Sequence, residues 1–266
     1  MSGESISDSI SDCVAASSKL SYKAIILVIA SRSEIYDQFI KMHWIYFMEY
    51  IRIKHPTLKC LLLFGRGDLT DLKLHPNDYL QFDIEESYVP GILEKTIAGL
   101  KYIEDNYNYD YVFRTNLSSG IILDRFMEHI EKLPLNKVYE GVRNVHAHPV
   151  QLDGSHIFNS ELGYHTWLQE QRAKYGSREI KFICGAGILL SSDNVSLLIE
   201  QLGTVDSTIV DDVAIGEILF KDESNYRVGL RHDAKYISYD RVYSRNNIRN
   251  IDKRYFHMRF RNPDRT

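Results

Sequence analysis

An unbroken apolar run, AIILVIA at 24–30, has the length of a strand and no alternation of polar and apolar positions. That pattern predicts a central parallel strand covered on both faces. Ser31-Arg32-Ser33 then opens a long helix on which two apolar stripes can be traced. Ile35, Phe39, Met42 and Tyr46 form one, and Ile40, Trp44, Phe47 and Ile51 the other. Two stripes predict a largely buried helix, closing near Pro56. LKCLLLFG (58–65) reads as a second buried strand, stopped by Gly65-Arg66-Gly67-Asp68, and YLQFD (79–83) as a shorter third. GILEKTIAGLKYIED (91–105) has Leu93, Ile97, Leu100 and Ile103 on one helical side. YDYVFRTN (109–116) is a fourth strand, followed by a helix at about 121–132 with Leu123, Phe126, Met127 and Ile130 inward.

The order β-α-β-α-β predicts a right-handed, mostly parallel sheet with helices on both faces. Ligands of such sheets bind beyond the carboxyl ends of the strands. The loops at 31–33, 65–68, 83–86 and 115–120 are therefore expected to line one cleft. The second half is more mixed. KVYEGV (137–142) and KFICGAGILLS (181–191) read as strands, the latter with Gly-Ala-Gly in its middle. DNVSLLIEQL (193–202) reads as a helix capped by Asp193, and TIVDDVAIGEILF (208–220) starts another with Asp211 and Asp212 in its first turn. YRVGL, YISYD and YFHMRF are late strand-like pieces. The whole predicts a polar, Ser-rich leader over 1–21 and one domain over 22–266, with no internal repeat.

Composition narrows the functional classes. The chain has 266 residues, 44% hydrophobic and 26% charged, as an ordinary globule has. A net charge of -4 argues against nucleic acid as the main ligand. Eighteen tyrosines suit clefts for sugars or bases as well as ordinary cores. Cys13, Cys60 and Cys184 are widely spaced, with no CxxC pair; Cys60 and Cys184 lie in apolar runs and are expected to be buried thiols. A reducing, cytoplasmic setting fits. No apolar stretch reaches the ~18–20 residues of a membrane span, and the start lacks the basic and apolar regions of a secretory signal. The phosphate-binding GxxxxGK[ST] and GxGxxG motifs and the Gly-x-Ser-x-Gly elbow are absent, which disfavours P-loop enzymes, dinucleotide oxidoreductases and α/β-hydrolases.

Several groups could carry chemistry. His146, His148, His156 and His165 lack a metal-ligand spacing and read better as surface or acceptor-lining residues. Asp211 and Asp212 suit a helix N-terminus, and the preceding Gly185-Ala186-Gly187 suggests a close approach of ligand to backbone. His257, Arg259 and Arg261 alternate along a strand-like tail, so that all three point one way and could clamp a diphosphate or carboxylate.

In this order, four stretches resemble glycosyltransferases of the GT-A fold, a Rossmann-like α/β architecture with a mixed C-terminal half. The likeness is to the β-1,3-galactosyltransferase and Fringe-like group, glycosyltransferase family 31. SYVPGILEKTIAGLKYI is similar to that group's segment of Tyr, Leu and Lys-Thr before a helix. YDYVFRTNLSSG falls where the group has a strand ending in Lys-x-Asp-Asp-Asp. FICGAGILLSSDNV is similar to its Gly-x-Gly-Tyr-x-Leu-Ser segment, and VDDVAIG to its Glu-Asp-Val-x-x-Gly motif. The resemblance implies transfer of a pentose or hexose, such as xylose or galactose, from a UDP-sugar to a glycan or glycoprotein hydroxyl with inversion. It places Asp212 as catalytic base. Ser31, Arg32, Asp83, Lys95, Arg114, Asn116, Ser118, His257 and Arg259 fall on the donor side. Gly185, Ala186, Gly187 and Asp211 fall on the acceptor side.

Two departures stand out. The group's acidic metal triplet falls on Asn116-Leu117-Ser118, whose oxygens are weak neutral ligands, so Mn2+ or Mg2+ has no evident carboxylate. Three alternatives follow: transfer without metal, a ligand supplied by another acid, or a non-catalytic nucleotide- or glycan-binding module on the same fold. A membrane anchor like that of Golgi members is also not expected from the sequence, which is more like the stand-alone enzymes of bacteria or of large DNA viruses of algae.

Overall fold

The computed structural model describes residues 19–87, 90–146, 169, 173, 180–201, 210–220, 227–228, 237–243 and 255–260. The leader up to residue 18, Cys13, His148, His156, His165 and Arg261 lie outside the described residues.

The fold is mixed α/β around a mostly parallel sheet, consistent with a Rossmann-like GT-A architecture. The first half alternates as its hydrophobic pattern predicts: β1 (Leu20–Ile29), a helix begun by α1 (Glu34–Phe39) and ended by α2 (Ile45–Lys54), β2 (Leu58–Phe64), β3 (Tyr79–Gln81), α3 (Gly91–Asn106) and β4 (Tyr107–Asn116). A short strand β5 (Ser119–Ile121), the helix α4 (Leu123–Ile130) and strands β6 (Val138–His146) and β7 (Ile180–Ser191) follow. Then come α5 (Ser192–Glu200), α6 (Asp211–Leu219), β8 (Arg227–Val228), β9 (Ile237–Tyr243) and β10 (Tyr255–Phe260). The main sheet has seven strands in the order β3-β2-β1-β4-β7-β6-β8. Of these β7 runs antiparallel to both neighbours, while the other pairs are parallel. A small second sheet, β5-β10-β9, continues from the exit of β4.

The apolar run of β1 is continuous because the sheet has a core on each face. Ala24, Ile26 and Val28 pack with Trp44, Met48, Ile51, Phe113, Phe126 and Phe256. Ile25, Leu27 and Ile29 point the other way, to Leu100 and Ile103 of α3, Val195 and Leu198 of α5, and Ile215 and Leu219 of α6.

Three sequence expectations are corrected. Met42 and Tyr46, read as inward, are 61% and 65% exposed. A wide π turn over Ile40–Trp44 joins α1 to α2. Its i→i+5 bonding advances the helix by more residues per turn than the 3.6 assumed, which rotates this stripe outward and keeps Ile40, Trp44, Met48 and Ile51 in the core. The helix is thus buried on one face only. The cap of α5 is Ser191 rather than Asp193; Asp193 sits in the first turn and accepts the Lys137 N–H at 2.9 Å. Cys60 is buried as expected, but Cys184 is only half-buried.

Gly216 of the VDDVAIG segment has a packing explanation. A Cβ there would lie 2.5 Å from the Lys181 carbonyl oxygen and 2.6 Å from Phe182 Cβ, so α6 rests directly on the backbone of β7. We expect Gly216→Ala to lose about 1–3 kcal/mol of stability, overpacking outweighing the gain in helix propensity. An unchanged urea midpoint would show that the two elements separate freely.

Candidate functional site

The carboxyl ends of β1, β2 and β4 lie side by side, since Val28 is level with Leu62 and with Thr115. Each strand end is tied to the next by a polar side chain. Lys95, reaching up from α3 and 1% exposed, donates to the Ala30 carbonyl at 2.8 Å and to Glu86 at 2.6 Å. The other Glu86 oxygen accepts the Gly65 N–H at 2.7 Å. One buried cation thus braces the exits of β1 and β2 and the segment after β3. Burial lowers the Lys95 pKa, and the Arg114 charge adds to that, while the hydrogen bond to Glu86 opposes it.

The exit of β4 is built around two inward residues. Leu117 is buried, and its carbonyl accepts the Trp44 indole N–H at 2.9 Å. Its side chain belongs to the core, which leaves Asn116 and Ser118 half-buried on either side of it. Behind them, Thr115 donates to the Ala186 carbonyl at 2.7 Å, joining β4 to β7. His257 Nε2 lies 3.2 Å from the Thr115 hydroxyl and 3.0 Å from that of Ser119.

Arg114 is the hub. It is 2% exposed, and its Nη2 lies 2.5 Å from Asp211 Oδ2. Its Nη1 donates to Asn116 Oδ1 at 3.0 Å and to the Gly185 carbonyl. Asp212, next to Asp211 at the start of α6, accepts the Gly185 N–H at 2.8 Å through Oδ2 and the Val213 N–H at 2.9 Å through Oδ1. Gly185 is where it is because a side chain would press on Arg114 and Asp212. Burial pushes the Asp212 pKa up to about 7, and the neighbouring Asp211 charge adds to that. The N–H of Gly185 and the Arg114 charge oppose the rise. A half-buried carboxyl that exchanges its proton near neutrality is suited to acid–base work.

The structure thus brings Asp212, Asp211, Arg114, Asn116, Gly185 and Ala186 into one connected cluster. The backbone of Gly185 holds Arg114 and Asp212, and the neighbouring Ala186 carbonyl holds Thr115. Asp211 is buried against Arg114. His257 is 1% exposed and supports the β4 exit from within; Arg259 stands opposite Ser119 in the β10–β5 ladder. Arg32 is spent on Asp37, at 2.8 Å, and on Asp71, at 2.9 Å. Asp83 is 86% exposed and pairs with Arg66. Gly187 lies level with Thr115. Glu86 and Thr115, expected only as members of loops lining the cleft, and Trp44, expected only as core, prove to shape the site. Buried polar residues among apolar ones were the available signal for Thr115.

A divalent cation does not fit the β4 exit as these residues stand. Arginine has only donors, so the Asn116 atom facing it is the oxygen, and that oxygen is already engaged. The Asp211 carboxylate is held by the same guanidinium. Among the described residues no group of three or more His, Cys, Asp or Glu is placed to hold a metal. Among them, too, no helix is long and apolar enough to cross a membrane.

No family model matches the chain, and no curated protein matches it. Among solved structures, core-mannan synthase A (CmsA/Ktr4) from Aspergillus fumigatus, in an Mn/GDP form, matches at 11% identity with a TM-score of 0.37, over 78% of this chain and 72% of that one. At these values the likeness is one of chain course, and the functional reading rests on the residues themselves.

Proposed function

We propose that this protein is a nucleotide-sugar-dependent glycosyltransferase, with a UDP-sugar as donor and a glycan hydroxyl as acceptor, working with inversion. The observation that carries the reading is Asp212: a half-buried carboxyl beside the strand ends, poised near neutrality and fixed by two backbone N–H groups. Asp212 takes the proton of the acceptor hydroxyl as that oxygen attacks the anomeric carbon. The bond from that carbon to the diphosphate breaks, and its electron pair leaves with the nucleoside diphosphate. Hydrogen-bond donors near the diphosphate stabilise the charge that develops there. The order of the four sequence stretches supports the same reading, with a xylosyl or galactosyl donor as the first candidates.

Donor hydrolysis and transfer measured over a panel of nucleotide sugars test the proposal. Turnover of at least one is expected; no turnover together with no calorimetric binding of UDP ends it. Asn116-Leu117-Ser118 in place of an acidic triplet favours a second reading, a non-catalytic nucleotide- or glycan-binding module, whose mark is binding without turnover.

A further inference from the structure

Three half-buried polar side chains stand at neighbouring strand ends: Ser31 two residues beyond β1, and Asn116 and Ser118 at the exit of β4. Ile29 is level with Asn116, so these ends adjoin. Arg114 holds the Asn116 oxygen. Its NH2 group is therefore turned away from the guanidinium, and it has no hydrogen-bond partner among the described residues. The hydroxyls of Ser31 and Ser118 are likewise without a side-chain partner there. Beneath them lie two buried cations, Arg114 and Lys95, close enough for the Arg114 charge to lower the Lys95 pKa. Of the carboxylates of this region, Asp211 and Glu86 face those cations, and Asp212 is held by the Gly185 and Val213 N–H groups.

From this arrangement we infer that the β4 exit is an anion site: Asn116 Nδ2, with the hydroxyls of Ser118 and Ser31, donates directly to the diphosphate oxygens of a nucleoside diphosphate, with no bridging metal. The inference rests on the glycosyltransferase reading for the identity of the ligand. Its physical basis is polarity. A carboxylate at position 116 would present negative charge and attract a cation. An amide whose oxygen is held by Arg114 presents its N–H groups away from the guanidinium and attracts oxygen anions. The Asn116 amide, already fixed by Arg114, needs no rearrangement when the ligand arrives.

Calorimetric titration of UDP into the full chain, in EDTA and in Mn2+, is the test. The expected result is a Kd that agrees within about twofold between the two buffers. Asn116→Asp keeps an oxygen for Arg114 and so keeps the fold, which its thermal melt checks. It is expected to weaken UDP binding in EDTA by about tenfold or more and to regain affinity when Mn2+ is added. Binding of UDP by the unaltered chain only in Mn2+ overturns the inference and leaves the glycosyltransferase reading in place. An Asn116→Asp variant with undiminished affinity in EDTA also overturns it. Metal-independent UDP binding without any sugar transfer leaves the inference standing and removes the enzymatic reading. No UDP binding in either buffer defeats both.

Discussion

Asp212→Asn is expected to bind UDP as the unaltered protein does and to lose about 10²–10⁴-fold of sugar transfer, the usual contribution of one positioned general base. The amide keeps an acceptor for the Gly185 N–H, so the helix start and the β7 strand stay together. Because the Asp212 carboxyl is pushed up to about 7, first by burial and then by Asp211, transfer by the unaltered protein is expected to rise with pH through that value and then level off. The same shift has a sign for stability. A carboxyl whose folded-state pKa is raised binds more protons folded than unfolded between about pH 4 and 7. Its contribution to stability is therefore undiminished below the unfolded-state pKa and is lost as pH rises through the folded one. Asp212→Asn removes that loss and should make the protein more resistant to urea at pH 8 than the unaltered chain. A variant that keeps more than a tenth of the transfer rate would move the base elsewhere, with Asp211 next in line.

Arg114→Met is expected to cost about 3–5 kcal/mol, the typical penalty when one partner of a buried pair is removed and the other charge stays behind. Here the charge left behind is Asp211, with Asp212 beside it. The loss should be greater at pH 8 than at pH 5, because without the guanidinium the Asp212 pKa rises further and the ionised pair is disfavoured more strongly. Urea unfolding at the two pH values gives the measurement. Adding Asp211→Leu to Arg114→Met should restore much of the stability, since two well-packed apolar residues can replace a buried pair at little cost. Equal losses at both pH values, with no rescue, would show that Arg114 matters for its volume and not for its charge.

How far the sequence carried the fold depended on the range of the interactions. β1, β2, α3 and β4 were legible because hydrophobic period is a local property, and AIILVIA and LKCLLLF announce double-sided burial. Met42 and Tyr46 were misread because a single π turn changes the period without changing the residue types. In the site, Asp212 and Arg114 could be singled out individually. Their connection could not, because Arg114 meets Asp211 across 97 residues and Gly185 across 71. The backbone of Gly185-Ala186 was expected to face a ligand. It faces side chains, and a glycine reads the same in either case. His257 was visible as a basic residue in a late strand, but its burial beneath Thr115 and Ser119 follows from how β10 joins β5.

The tie between Trp44 and Leu117 also has an optical side. The chain contains two tryptophans, and one of them is fully buried with its indole N–H on the carbonyl between Asn116 and Ser118. Indole emission responds to that hydrogen bond and to the local electric field. Light emitted by Trp44 therefore registers any displacement or charge arriving at the loop, and the loop carries a native fluorophore in direct contact with its own backbone.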